Sequence, residues 1–167
     1  MTNKVLIVFA TDYGSTKEVA EAIAAIFREK GVEVDILSFR EARTITGYSG
    51  IVMGSPLLMH RLHKDIKNFL NRNRQVLVNL PVALFALGPV KNPRDEKEWQ
   101  GSKEQLDKEL SNYTWLKPIS IMLFGGKFDP KLLRFPLNKM AGSEPASDIR
   151  DWKAIRSWAE SVIEKLK

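Results

Sequence analysis

KVLIVFATDYGSTKEVAEAIAAIFRE, residues 4–29, reads as three consecutive pieces. Lys4 to Ala10 is an apolar, β-branched run of buried-strand length, and Thr16 to Glu29 repeats Val19, Ile23, Ile26 and Phe27 at helical spacing. Between them lies Thr11-Asp12-Tyr13-Gly14-Ser15-Thr16. The turn offers the hydroxyls of Thr11, Ser15 and Thr16 together with unpaired backbone amides at a helix N-terminus, where the macrodipole favours an anion. A P-loop would need GxxxxGK[ST] and a dinucleotide fold GxGxxG; neither is present. One glycine among hydroxyl residues suits a single terminal phosphate held by neutral donors. Ser15-Thr16-Lys17-Glu18 also fits the capping box S-x-x-E, which would engage the Ser15 hydroxyl in starting the helix. The two uses are compatible at Thr11 and Thr16, whose hydroxyls the box leaves free.

The remaining chain repeats the strand-then-helix alternation. Gly31 ends the first helix, and Val32 to Phe39 alternates as a second strand; strand, helix, strand in this order implies a parallel pair. Gly50 to Gly54 is a short buried third strand, followed by a loop from Ser55. His63 to Arg74 forms a helix with Ile66, Phe69 and Leu70 inward, and Pro81 to Leu87 is an apolar fourth strand. Asp95 to Asn112 carries Trp99, Leu106 and Leu110 on one helical face, and Pro118 to Phe124 is a fifth strand. Asp151 N-caps a last helix whose Trp152, Ile155, Trp158, Ala159, Val162, Ile163 and Leu166 face inward. The expected fold is an α/β doubly wound, five-stranded parallel sheet in the order 2-1-3-4-5, with helices on both faces and the ligand crevice at the switch point between strands 1 and 3.

Length and composition narrow the function classes. A chain of 167 residues with 44% hydrophobic content suits one domain spanning residues 1–167. The longest apolar-rich run, Val76 to Val90, holds Asn79 and two prolines and is too short for a membrane helix; the N-terminal run ends in the turn rather than a cleavage site. A cytoplasmic protein is expected. Without cysteine, thiol redox chemistry, Cys-ligated zinc and iron–sulfur clusters are excluded, so redox chemistry would need a cofactor. The net charge is +6, and Arg61, Lys64, Lys67, Arg72 and Arg74 are offset locally only by Asp65, which predicts anionic partners. Nucleic acid is not among them, because no recognition motif or aromatic-basic platform is present.

The turn at Thr11–Thr16 resembles the flavodoxin FMN-phosphate loop T-x-T-G-x-T, with tyrosine at its third position. Gly54-Ser55-Pro56-Leu57-Leu58-Met59 is similar to the G-S-P-[IL]-x-x turn of flavodoxin-domain proteins related to menaquinone-dependent protoporphyrinogen oxidase. So are the segments His63–Leu70, Ala83–Pro89, Phe124–Gly126 and Asp151-Trp152, so the resemblance covers nearly the whole chain. It implies FMN as cofactor, its phosphate on Thr11, Asp12, Tyr13, Gly14, Ser15 and Thr16. The isoalloxazine would be flanked by Pro56, Leu57, Leu58, Met59 and His60 and by Leu87, Gly88, Pro89 and Val90. Typical flavodoxins place aromatic rings there; this chain offers Leu58 and Met59 as an apolar wall, and Trp99 either swings over the site or, sharing the stripe of Leu106, packs in the core, the reading its spacing favours. Asp12 is expected to point to water, away from the phosphate.

His60, His63 and Asp65 are the residues a metal reading would use, but a single loop-to-helix junction supplies no fourth ligand, and no metal site is expected. His60 suits either proton exchange or a solvated helix start. Lys127 to Met140, KFDPKLLRFPLNKM, mixes apolar and basic residues and suits a site lid, a homodimer contact, a peripheral anchor at the cytoplasmic membrane face, or packing over the sheet edge. The resemblance implies an oxidoreductase passing electrons through FMN to a quinone-type acceptor, with Arg61, Lys64 and Arg134 binding carboxylates of a porphyrin substrate. A non-enzymatic electron carrier fits the positive charge poorly, since flavodoxins as a family are acidic. A flavin-free relative such as a phosphorylated receiver would need aspartate where Gly54-Ser55 stand.

Overall fold

Five parallel strands form the sheet of the computed structural model, which describes residues 3–58 and 61–167. The strands are β1 (Lys4–Phe9), β2 (Glu33–Ser38), β3 (Gly50–Leu58), β5 (Val82–Leu87) and β6 (Ser120–Phe124), in the order β2-β1-β3-β5-β6. Counted without the two-residue strand β4 (Arg61–Leu62), which pairs antiparallel with the end of β3, this is the expected 2-1-3-4-5.

Period-two alternation divides the sheet's side chains between two apolar layers. Val5, Ile7, Val52, Ala83 and Phe85 pack on one side against Val19, Ile23 and Phe27 of α1 (Ser15–Glu29) and Ile155 and Trp158 of α5 (Trp152–Leu166). Leu6, Val8, Ile51, Met53 and Leu84 pack on the other side against Ile66, Phe69 and Leu70 of α2 (Lys64–Leu77) and Leu106 of α3 (Glu96–Leu110). Asp95 caps α3 by accepting from the Glu98 amide at 3.1 Å, and Asp151 caps α5 by accepting from the Ala154 amide at 3.0 Å, satisfying donors that a helix start leaves open.

Three expectations need correction. The third strand does not stop at Gly54. It continues to Leu58 because Ser55 and Pro56 stay in register with Ala86 and Leu87 of β5, and Leu57 then pairs with Leu62. Trp152 does not face the core: as the first residue of α5 it lies 45% exposed, with the Arg150 guanidinium 4.8 Å from its ring centroid. Trp99 is only half-buried, and the fully inward positions of α3 are Ser102 and Leu106.

The segment after β6 folds into a flap. β7 (Lys127–Phe128) and β8 (Ser147–Asp148) pair antiparallel, and a short 3-10 turn (Pro130–Leu132) and α4 (Leu137–Ala141) lie between them. The flap is fastened to the loop after β5: the Gly126 amide donates to Pro89 O at 2.8 Å and the Ser147 hydroxyl to Val90 O at 2.5 Å. Lys91 pairs with Glu144 at 2.7 Å.

Candidate functional site

The turn after β1 is set by Gly14, whose φ of +92° lies in the left-handed region that glycine enters without steric cost. Its amide donates to Thr11 Oγ1 at 2.8 Å, and its carbonyl accepts from the Glu18 amide at 3.0 Å. Gly14 therefore occupies the cap position and α1 begins at Ser15. The expected capping box does not form, because the cap falls one residue earlier than its pattern requires. The Glu18 carboxylate instead accepts from Arg150 Nη1 at 2.9 Å. Thr11 Oγ1 accepts the Gly14 amide, which orients the hydroxyl and leaves its own proton to donate. Thr16 is fully buried, and its hydroxyl has no hydrogen-bond partner among the described residues.

A cavity of about 70 Å³ sits over this turn. Thr11, Asp12, Tyr13, Ser15 and Thr16 line it from the first loop, Pro56 and Leu57 from the end of β3, and Leu87, Gly88 and Val90 from the end of β5 and its loop. These elements meet because β1, β3 and β5 are adjacent parallel strands whose carboxyl ends open on one edge, where such sheets take ligands. Pro89 contributes through its carbonyl, which holds Gly126. Met59 and His60 lie outside the described residues, so the wall and the proton exchange expected of them do too; Leu58 closes β3 opposite Arg61.

The small cavity shares Tyr13, Ser15, Leu57, Gly88, Val90 and Lys127 with a cleft of about 580 Å³. Its far wall is the flap, through Phe128, Leu132, Leu133, Leu137 and Met140, and α3 adds Glu98 and Ser102. The side chains along the flap are thus a wall of the cleft rather than a cover for the sheet edge. Trp99 is absent from the lining, and its indole N–H is buried without an acceptor.

His63 joins α2 to the first loop. Its Nδ1 accepts from the Asp65 amide at 3.1 Å, which places the ring proton on Nε2, 3.3 Å from Asp12 Oδ1. Asp12 therefore turns toward His63 rather than only to water. Ser55, fully buried, accepts from the His63 amide at 3.1 Å and donates to Pro56 O at 3.1 Å, fixing the end of β3 against this cap. Among the described residues no group of three His, Asp or Glu side chains could hold a metal ion.

Much of the basic run of α2 is committed to structure. Lys67 pairs with Glu109 at 2.8 Å, Arg72 reaches the Phe39 and Ala42 carbonyls at 3.5 and 3.4 Å, and Arg74 lies 5.6 Å from the Trp115 centroid. Arg61, Lys64 and Arg134 are exposed, and none of them lines the cleft. Lys127 lines both cavities, a placement that the sequence reading did not reach. It also missed Arg150, whose side chain is only 3% exposed. Arg150 bonds Asp148 through Nε at 2.9 Å and Nη2 at 2.7 Å, and its Nη1 meets Glu18 and the Ser15 carbonyl. Asp148 is held below the ordinary aspartate range by that guanidinium, and Arg150 is pushed up chiefly by Asp148.

Fit to FMN turns on the first loop. A buried, unpartnered hydroxyl beside a helix N-terminus is costly unless something fills the space, and the space is of phosphate rather than ring dimensions. The loop residues fit the group's phosphate, and the adjoining cleft has room for a larger planar portion.

Comparisons with known proteins agree with this architecture. A flavodoxin domain family model matches residues 6–140. The quinone-dependent protoporphyrinogen IX dehydrogenase of Escherichia coli strain K12 is 24% identical, over 95% of this chain and 94% of its own. Oxidised flavodoxin 2 from Bacillus cereus superposes with a TM-score of 0.62 at 18% identity, covering 97% of this chain and 99% of its own. A Fusobacterium nucleatum flavodoxin bound to flavin mononucleotide gives 0.58 at 13%, covering 98% and 99%. With the strand order and the hydroxyl turn in place, the chain belongs to the flavodoxin domain family.

Proposed function

We propose that this protein is an FMN-dependent oxidoreductase that passes electrons from a reduced donor through the flavin to a quinone-type acceptor in the cleft beneath the flap. The observation that carries the reading is the unpartnered Thr16 hydroxyl in a phosphate-sized cavity that opens into the larger, mainly apolar cleft. Bound FMN would supply the hydride and electron transfer, for which the chain has no thiol of its own. Thr16, Ser15 and the first amides of α1 would hold its phosphate. Leu57, Gly88 and Val90 stand where the small cavity meets the cleft and would flank the larger portion. Leu132, Leu133, Leu137 and Met140 would exclude water from the reacting pair. The E. coli relative is named for a tetrapyrrole donor and a quinone acceptor, which supports the same class here.

A carboxylated donor would be met by Arg61, Lys64 and Arg134, exposed cations of the second loop's neighbourhood and of the flap. Neutralising them should raise KM for a carboxylated donor and leave KM for a neutral quinone unchanged. The first experiment is a spectrophotometric titration of the protein with FMN, followed by donor-to-quinone turnover with no added reductase. Flavin binding with turnover supports the enzyme; flavin binding that turns over only with a protein reductase makes it an electron carrier; no binding removes the redox reading.

The flap's outward side chains support peripheral contact with an anionic membrane, where a lipid-dissolved acceptor would be met. Phe135, which does not line the cleft, is 73% exposed among Lys131, Arg134 and Lys139, the pattern of an interfacial anchor. Co-sedimentation with vesicles containing anionic lipid, lost in the Phe135→Ser variant, tests this; equal recovery with and without vesicles would remove it.

A further inference from the structure

Flavin phosphate loops built on hydroxyls and amides need no cation, yet the small cavity in this chain has one. Among the described residues Lys127 is the sole Lys, Arg or His whose side chain lines either cavity, and it lines both. Its ammonium makes no hydrogen bond or ion pair with the described residues. Asp148, its register partner across β7 and β8, feels the Lys127 charge at a distance but is bonded to Arg150, through its backbone amide, Nε and Nη2. The charge of Lys127 is therefore available to a ligand.

The backbone that carries Lys127 has little freedom. A Cβ at Gly125 would come 2.5 Å from the Ile149 carbonyl oxygen, and one at Gly126 would come 3.0 Å from Val90 Cγ1. The Gly126 carbonyl accepts from the Ile149 amide at 3.1 Å, and its amide donates to Pro89. The next residue is thereby held beside the loop after β5, in the cavity that the first loop also lines. Among the described residues the remaining charged side chain of the small cavity is Asp12, which would repel a phosphate and lies 3.3 Å from His63 Nε2. An ammonium in the cavity that the buried Thr16 hydroxyl also lines offsets that repulsion.

We propose that Lys127 pairs with the phosphate of the bound flavin cofactor, so that the flap is fastened to the cofactor's charged end as well as roofing the cleft. This rests on the FMN reading. A lysine acts on phosphate as a point charge, without the paired geometry of arginine. Its effect therefore depends on the ligand's phosphate and on salt, and is indifferent to the ring.

The test is a fluorescence titration of wild type, Lys127→Gln and Lys127→Arg with FMN and with riboflavin, which lacks the phosphate, at low and high salt. For Lys127→Gln, FMN affinity should fall about tenfold at low salt, the scale of one hydrogen bond to a charged group, with riboflavin affinity unchanged. Lys127→Arg should stay near wild type, and the salt dependence of FMN binding should flatten in Lys127→Gln. Equal losses for both ligands would assign Lys127 to the ring or to flap integrity and overturn the proposal, as would unchanged FMN affinity. Those outcomes leave the FMN reading intact. Wild-type protein that binds neither ligand removes that reading and the proposal with it.

Discussion

Arg150 Nη1 lies 2.9 Å from Glu18 Oε2, joining the second residue after β8 to the first turn of α1 across 132 positions of sequence. The same guanidinium chelates Asp148 and covers the Trp152 ring, so one buried side chain ties the flap's return strand to the helix that bears the phosphate turn. Both carboxylate partners are solvent-accessible and can rehydrate when the arginine is lost. Arg150→Ala should therefore cost about 1–3 kcal/mol, less than removal of one partner from a fully buried pair. Thermal unfolding should report this as a drop of roughly 2–4 °C per kcal/mol, with faster proteolysis between residues 129 and 146. An unchanged Tm and cleavage rate would show that the flap is held by the loop after β5 alone.

Thr16→Val separates stability from ligand binding. The hydroxyl is buried without a partner, so replacing it with a methyl group removes an unmet desolvation cost and should leave the protein as stable as before or up to about 1 kcal/mol more stable. Under the FMN reading the same change should weaken FMN by roughly tenfold or more, because a charge-assisted donor to the phosphate is lost. Denaturation midpoint and flavin titration on one preparation check both halves. A loss of stability would mean that the hydroxyl has a partner in solution.

Gly54 is required by its neighbour on β5. A Cβ at this position would fall within the Phe85 ring, which is fully buried and stacks edge-on with Trp158 at 5.9 Å. Gly54→Ala should cost about 1–3 kcal/mol as overpacking. Phe85→Leu, destabilising by itself, should recover part of that cost in the double variant, a coupling that distant sites do not show. Additive effects would place the glycine's role in its backbone instead. The same clash explains why this strand end could not carry a receiver's aspartate.

What was legible in the sequence was local. β1, the turn and α1 follow from one apolar run, one glycine and one helical stripe, and the alternation of such units fixes a parallel sheet. Non-local pairing was illegible. β3 extends past Gly54 only because Pro56 finds a register with Leu87, and Pro56 alone reads as a strand stop. The box at Ser15–Glu18 was a sound local pattern that lost to a left-handed Gly14 and to an arginine far along the chain. Lys127 looked like one more surface cation until the backbone bonds of Gly126 placed it beside the turn.

The acid limb of stability should depend on two aspartates. Asp35 is held below its ordinary value of 3.8 chiefly by the Tyr48 hydroxyl, which donates to Oδ2 at 2.6 Å, and then by Lys4 at 3.0 Å. Asp148 is held below the same ordinary value by Arg150. A carboxyl whose pKa is lowered by folding binds its proton more weakly in the native state than in the unfolded chain. Its stabilisation is therefore fully present above the unfolded value near pH 4 and is lost as pH falls through the lower folded value. Urea unfolding of wild type should show stability declining below about pH 4. Asp35→Asn and Asp148→Asn should each be less stable than wild type at pH 7, with the difference shrinking as pH falls below the ordinary aspartate range and the wild-type carboxyls take up protons in their turn. A difference that stays constant across that range would mean that these side chains act through packing or neutral hydrogen bonds rather than through their charge.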